Sequence, residues 1–307
     1  MKDFINIADF TPDQLKGLLA RAIADKALFR EGKLPASCPR KTLALIFEKP
    51  SLRTRVSFAS AIVQLGGAAI YLTDADIGLG KREPVGDVAE VLGRMVDCVT
   101  ARTFSHDSVV ELAETARIPV VNALTDYSHP CQAMADAMTA MEVFGENLAG
   151  MKWAFVGDGN NVARSLAVLS TKLGMDFALA CPEGYELSEE FVAALPAGGG
   201  SFVQTADPRA AVADAAVVYT DTWISMGQED EKAKRIKDFD GFRVNGDLMS
   251  AAAADAVAMH CLPAYRDYEI SEEVMVAHGK TIFAEAENRL HFQRSLINVL
   301  IAEGGIP

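Results

Sequence analysis

The chain has 307 residues, with 29 Lys+Arg against 42 Asp+Glu and a net charge of −13. Half of it is apolar and 23% is charged, which excludes a disordered chain and suffices for a sizeable core. Bulk acidity argues against non-specific binding to nucleic acid or an anionic membrane, though it leaves room for local basic clusters.

Thr11-Pro12-Asp13 opens the first helix, with Leu15, Leu18, Leu19, Ala22 and Ile23 at helical spacing behind a Thr cap and a first-turn Pro. The apolar run 42–47 suits a buried strand. Helices are expected over 54–65, 85–96 and 108–116, and strands over 68–72, 98–101 and 119–122. A long helix runs from Pro130 to about residue 144. A second alternating series follows, with strands at 153–156, 177–181, 217–220 and 257–260, and a weaker one at 201–203. Helices at 162–173, 189–195 and 229–237 fill the gaps, and an amphipathic helix at 286–301 closes the chain. Strands alternating with helices of this length predict parallel sheets. The expected class is therefore α/β: two doubly wound parallel-sheet domains, 1–145 and 146–285, with the active site in the cleft between them. Gly145 and Gly150 bracket the boundary, and the C-terminal segment 286–307 is expected to pack back on the first domain.

The five cysteines, Cys38, Cys98, Cys131, Cys181 and Cys261, are odd in number and form no C-x-x-C pair. That predicts reduced thiols in a cytoplasmic protein rather than a disulfide framework or zinc site. Segment 1–10 carries acids where a signal peptide needs an apolar run, and no stretch of about 20 residues is both apolar and uncharged, so no membrane span is expected.

In open parallel sheets, ligands bind beyond the carboxyl ends of the strands. Six polar clusters fall there. Ser51-Leu52-Arg53-Thr54-Arg55 follows the first strand, and Arg102-Thr103 follows the third. His129-Pro130-Cys131-Gln132 and Asp158-Gly159-Asn160-Asn161 open helices. Asp221-Thr222-Trp223-Ile224-Ser225-Met226-Gly227 and Cys261-Leu262-Pro263 end the set. The first half offers guanidinium groups at a helix N-terminus, a seat for phosphate. In the second half, Asn161 and Asp221 suit an ammonium group, and Ser225 with the Met226 backbone suits a carboxylate or ammonium group. Plainer readings stand beside these. Arg53 and Arg55 could pair with carboxylates such as Glu48, His129 could be a satisfied structural group, and Asp221 could cap a helix. Gly157-Asp158-Gly159 resembles the start of a dinucleotide-binding turn, but Val162 replaces its third Gly. A Cys261 nucleophile activated by His260 is disfavoured, because neighbours on a strand point to opposite faces.

Taken together, the 51–55, 102–103, 129–132, 221–227 and 260–263 motifs resemble the signature set of the carbamoyltransferase superfamily. D-x-W-x-S-M-G and H-C-L-P are similar to its ornithine branch, and the match runs from about residue 45 to Arg289. The resemblance implies transfer of a carbamoyl group from carbamoyl phosphate to L-ornithine, giving L-citrulline and phosphate. It implies that Ser51, Leu52, Arg53 and Thr54 bind phosphate and that Arg102 bridges phosphate and carbamoyl oxygens. His129 and Gln132 would hold the carbamoyl group, and Arg289 would return to the same site. Asn161, Asp221, Ser225 and Met226 would bind ornithine. Cys261 and Leu262 would line the reacting end, with Cys261 as candidate proton acceptor. Arg55 would be structural. No metal or organic cofactor is implied, and a homotrimer or a multiple of trimers is expected. One position departs from the pattern: Gly78 stands where the family usually has a Gln that reaches the adjacent subunit's carbamoyl phosphate. Either Lys81 or Arg82 compensates or the affinity for carbamoyl phosphate is lower, and Gly78→Gln is expected to stay active with a lower KM for carbamoyl phosphate.

Overall fold

The computed structural model describes residues 1–225 and 227–307. It contains two compact units, Met1–Met138 with Asn288–Pro307, and Thr139–Glu287. The chain thus leaves the first unit inside the helix Pro130–Phe144, before the Gly145–Gly150 bracket, and re-enters it inside the helix Gly279–Ala302.

The first unit is built on β1 (Thr42–Phe47), β2 (Ala68–Thr73), β3 (Cys98–Arg102) and β4 (Val120–Leu124), all parallel in the order β2-β1-β3-β4. Alternate residues point to opposite faces of a strand. Ala44, Ile46, Val99, Ala101 and Val120 therefore share one face, where they form a core with Val88, Ala89, Val109 and Leu112. Those last four come from the helices Val85–Leu92 and His106–Thr115. Leu43, Leu45 and Phe47, on the opposite face of β1, are equally buried. Burial on both faces explains the near-continuous apolar run of β1.

The second unit has β5 (Lys152–Val156), β6 (Asp176–Ala180), β7 (Phe202–Thr205), β8 (Val217–Thr220) and β9 (Val257–His260), parallel in the order β7-β6-β5-β8-β9. Phe155 and Tyr219 stack across its centre at 5.5 Å, beside the fully buried Trp153.

Each sheet reverses its strand order beside its first strand. The crevices at β1/β3 and at β5/β8 are therefore where ligand sites are expected in each unit. The final helix starts at Gly279, earlier than the apolar periodicity suggests. Gly279, Thr281 and Ile282 are poor helix signals, but buried Ile282 and Glu285 tie this first part to its own unit. Among the described residues, no helix is long and apolar enough to cross a membrane.

Candidate functional site

In the first unit the β1 and β3 ends converge on the entrance of the helix Pro130–Phe144. Ser51 caps the helix Leu52–Gln64: its Oγ accepts from Thr54 N at 3.3 Å and donates to Thr54 Oγ1 at 3.1 Å. Leu52 is 75% exposed, so this position offers the site its first-turn N–H rather than its side chain. Arg53 is half-buried and makes no ion pair or side-chain hydrogen bond among the described residues. Its suggested partner, Glu48, instead accepts from the Phe104 N–H at 2.8 Å. Arg55 lies 3.8 Å over the Tyr71 ring, a structural placement.

Arg102, His129, Gln132 and Arg289 are all buried. Arg289 donates from Nη1 to Gln132 Oε1 at 2.6 Å and from Nη2 to Thr54 Oγ1 at 3.2 Å. Gln132 donates from Nε2 to Asp136 Oδ1 at 2.7 Å, so its amide is held from both ends. Burial, followed by the charges of Arg289, Arg102 and Arg53, holds the His129 pKa well below its ordinary value. His129 is therefore a neutral imidazole within the field of three guanidinium groups. Such a cluster attracts a dianion and offers N–H donors to a carbonyl oxygen.

Lys49 escaped the sequence reading. It is 4% exposed, forms an ion pair with Asp126 and lies 4.1 Å over the Phe104 ring. It thereby clamps the loops after β1, β3 and β4 together. The signal was a Lys two residues after a buried strand, which by itself looks like surface.

In the second unit Asp221 is the hub. Oδ1 accepts from Thr222 N at 2.7 Å and from Cys261 Sγ at 2.9 Å, while Oδ2 accepts from Asn160 Nδ2 at 2.8 Å. No helix follows it directly, so it is not an N-cap. That role belongs to Asn160, whose Oδ1 accepts from Val162 N and Ala163 N at 2.9 and 3.1 Å. Asn161, half-buried, opens that helix. The Ser225 N–H donates to Gln228 Oε1 at 3.0 Å, and Met226 lies outside the described residues.

Buried Arg235 explains why these loops hold their shape. It donates to Asp158 Oδ2 at 2.7 Å, to the Trp223 carbonyl at 3.1 Å and to Glu231 at 2.8 Å. Burial raises the Asp158 pKa, and the Arg235 bond and charge oppose that rise. The turn after β5 is a poor pyrophosphate cradle. The Asn160 side chain already occupies the first free N–H groups of its helix. A Cβ on Gly159 would lie 2.7 Å from the Tyr185 carbonyl, so its glycine serves chain packing.

His260 does not serve the Cys261 thiol. Its Nδ1 accepts from Leu262 N at 2.9 Å and its Nε2 donates to buried Glu269 at 3.1 Å. Asp221, His260 and Cys261 each present a ligating atom within 4.8 Å of the others. A metal there would have to displace either the Leu262 N–H from His260 Nδ1 or the Glu269 carboxylate from Nε2. Gly78 caps a short helical turn at φ +59°, and an added Cβ would sit 2.8 Å from Arg82 Cβ. Arg82 Nη2 donates back to the Asp76 carbonyl at 2.6 Å and Lys81 pairs with Asp74 at 3.3 Å. The turn is a self-contained unit with no room for a side chain at residue 78.

Residues 2–142 match the model of the aspartate/ornithine carbamoyltransferase carbamoyl-P binding domain, and residues 149–300 match that of the Asp/Orn binding domain. The chain is 46% identical over 296 residues to an ornithine carbamoyltransferase of Methanosarcina acetivorans, covering 96% of this chain and 98% of that protein. It is 45% identical over 309 residues to one of Pyrococcus abyssi, covering 99% and 96% respectively. The solved ornithine carbamoyltransferase of Pyrococcus furiosus superposes with a TM-score of 0.94 at 44% identity, covering 100% of this chain and 98% of that one. With both family domains matched in order, and with their characteristic residues gathered at the strand-order reversals of two parallel sheets, the chain belongs to the aspartate/ornithine carbamoyltransferase family.

Proposed function

We propose that the protein transfers the carbamoyl group of carbamoyl phosphate to the δ-amine of L-ornithine, releasing L-citrulline and phosphate. The observation that carries this reading is the neutral, buried His129 in the field of Arg53, Arg102 and Arg289. Ser51, the Leu52 N–H, Arg53 and Thr54 bind the phosphate, and Arg102 spans phosphate and carbamoyl oxygens. His129, Gln132 and Arg289 orient the carbamoyl group, the carbonyl oxygen accepting an N–H bond.

Ornithine binds through Asn161, Asp221, Ser225 and Met226, with Cys261 and Leu262 near its reacting amine. An ammonium group with an ordinary pKa of about 10.4 has no lone pair to give. The Asp221 carboxylate, which holds the Cys261 thiol at 2.9 Å, accepts the proton it must lose. The freed amine attacks the carbonyl carbon, a C–N bond forms, and negative charge builds on the carbonyl oxygen. His129 and the guanidinium groups stabilise that charge. The C–O bond to phosphate then breaks, its electron pair leaving with the phosphate, which takes the second proton from the attacking nitrogen. In this reading no metal or organic cofactor takes part.

The protein acts in the cytoplasm, in keeping with five free cysteines, four of them buried. It works as a homotrimer or a multiple of trimers, a reading supported by Leu52, Val56 and Val63, exposed along one face of the helix Leu52–Gln64.

The test is product formation by the purified protein from carbamoyl phosphate with L-ornithine, L-aspartate or putrescine as acceptor. Citrulline from ornithine alone is expected. No product with ornithine would overturn the reading.

A further inference from the structure

Both ring nitrogens of His106 are engaged within the first unit. Nε2 lies 2.9 Å from Asn6 Nδ2, and Nδ1 lies 2.9 Å from Thr125 Oγ1. At its other end Asn6 Oδ1 accepts from Ser128 Oγ at 2.9 Å. In this arrangement Asn6 Nδ2 donates, Nε2 accepts, and the Nδ1–H of the neutral ring donates to Thr125. Thr125 Oγ1 also accepts from Tyr127 N at 3.3 Å and Ser128 N at 3.2 Å, while its own N–H donates to Ser128 O at 2.9 Å. The hydrogen bonds close a ring: Asn6, His106, Thr125, Ser128 and back to Asn6. Asn122 Nδ2 braces it with a 2.9 Å bond to Ser128 Oγ.

The ring has two neighbours that matter. Ser128 immediately precedes His129. His106 opens the helix His106–Thr115, four residues after Arg102, and Thr103 Oγ1 donates to the Ser105 carbonyl at 2.8 Å between them. One imidazole therefore joins the loop that carries His129 to the strand end that carries Arg102.

We propose that His106 is a positioning residue: through the closed Asn6–His106–Thr125–Ser128 ring it sets the orientation of His129, and it does so only as a neutral imidazole. This rests on the reading that His129 holds the carbamoyl group. Protonated His106 would set an N–H against the Asn6 Nδ2–H groups and open the ring. The groups around the imidazole are Asp107 on its own helix, Asp9 on the turn Ile7–Asp9, and the Tyr127 ring at 5.0 Å. The two carboxylates favour the cation, yet burial outweighs them and holds the pKa below its ordinary 6.5. The ring is thus intact above that value and is lost as pH falls through the lowered pKa.

The test compares the parent protein with His106→Phe, which keeps the ring packing, and His106→Gln, which can still accept from Asn6 and donate to Thr125. Steady-state constants for both substrates are measured across pH, and the His129 imidazole is followed by 1H–15N NMR. In His106→Phe, kcat should fall about tenfold with the KM for ornithine unchanged, and the His129 resonance should move. His106→Gln should recover kcat to within about threefold and lose the acid limb that His106 titration gives the parent. Unchanged His129 resonances in His106→Phe overturn the proposal. So does a parent-like acid limb in His106→Gln, which decides the matter should the Phe variant fail to fold. A parent protein that makes no citrulline would sink the carbamoyl-transfer reading instead, and the NMR arm would still show whether His106 orients His129.

Discussion

Arg53 is a cation with no partner among the described residues, set at the first turn of a helix whose cap residue, Ser51, has already tied itself to Thr54. A group in that state adds little to stability and is available for a ligand. Arg53→Ala should therefore leave the melting temperature within about 2 °C of the parent, as for a change that breaks no pair, while kcat/KM for carbamoyl phosphate falls about 100-fold. Differential scanning calorimetry and initial rates check the two halves of this prediction. A parent-like kcat/KM would remove Arg53 from the phosphate seat. Arg289 is the opposite case. It is 2% exposed and bonded to Thr54 and Gln132, so its replacement should cost stability and activity together.

At the scale of elements, two short segments decide what the strand ends can present. Arg235, from the helix Lys232–Asp238, reaches Asp158 after β5 and the Trp223 carbonyl after β8 with side chains that are 8% and 15% exposed. Removing one partner of so sheltered a pair leaves a charge without compensation, at a cost of about 3 kcal/mol. Arg235→Gln should destabilise the protein by that amount in urea unfolding and raise the KM for ornithine. The double variant Arg235→Gln/Asp158→Asn should recover part of the stability. The turn around Gly78 bears on an expectation from sequence. A Gln there was expected to help carbamoyl phosphate binding. The positive φ and the 2.8 Å approach to Arg82 Cβ mean that any side chain must distort the turn. Gly78→Gln should lose about 1–2 kcal/mol of stability and gain nothing in KM, as unfolding and initial-rate measurements will show.

For the molecule as a whole, the apolar row on the helix Leu52–Gln64 is the feature a single chain leaves unexplained. Leu52, Val56 and Val63 are 75%, 52% and 60% exposed, on the same helix that carries Arg53 and Thr54. Burial of such a row between copies would tie assembly to the site. A Val56→Asp/Val63→Asp variant should sediment as one chain where the parent sediments as three or a multiple, with far-ultraviolet circular dichroism unchanged. A parent that itself sediments as a single chain would refute the trimer.

The alternation of apolar strands with helices, the strand ends and the clustered Arg, His and Asp residues were legible in the sequence because each depends on local spacing. Burial on both sheet faces writes an apolar run, and a strand end writes an abrupt change to polar residues. The motifs 51–54, 129–132 and 221–225 lie on such changes. The tertiary structure alone decided which residues hold those motifs still. Lys49, His106 and Arg235 look like ordinary surface groups in sequence, since their partners Asp126, Thr125 and Asp158 lie far along the chain. It also assigned the helix cap to Asn160 and left Asp221 to gather Thr222, Asn160 and Cys261. A helix end and a strand end are local events and leave a local trace. A hydrogen bond between two loops requires the fold to have brought them together, and no spacing along the chain records it.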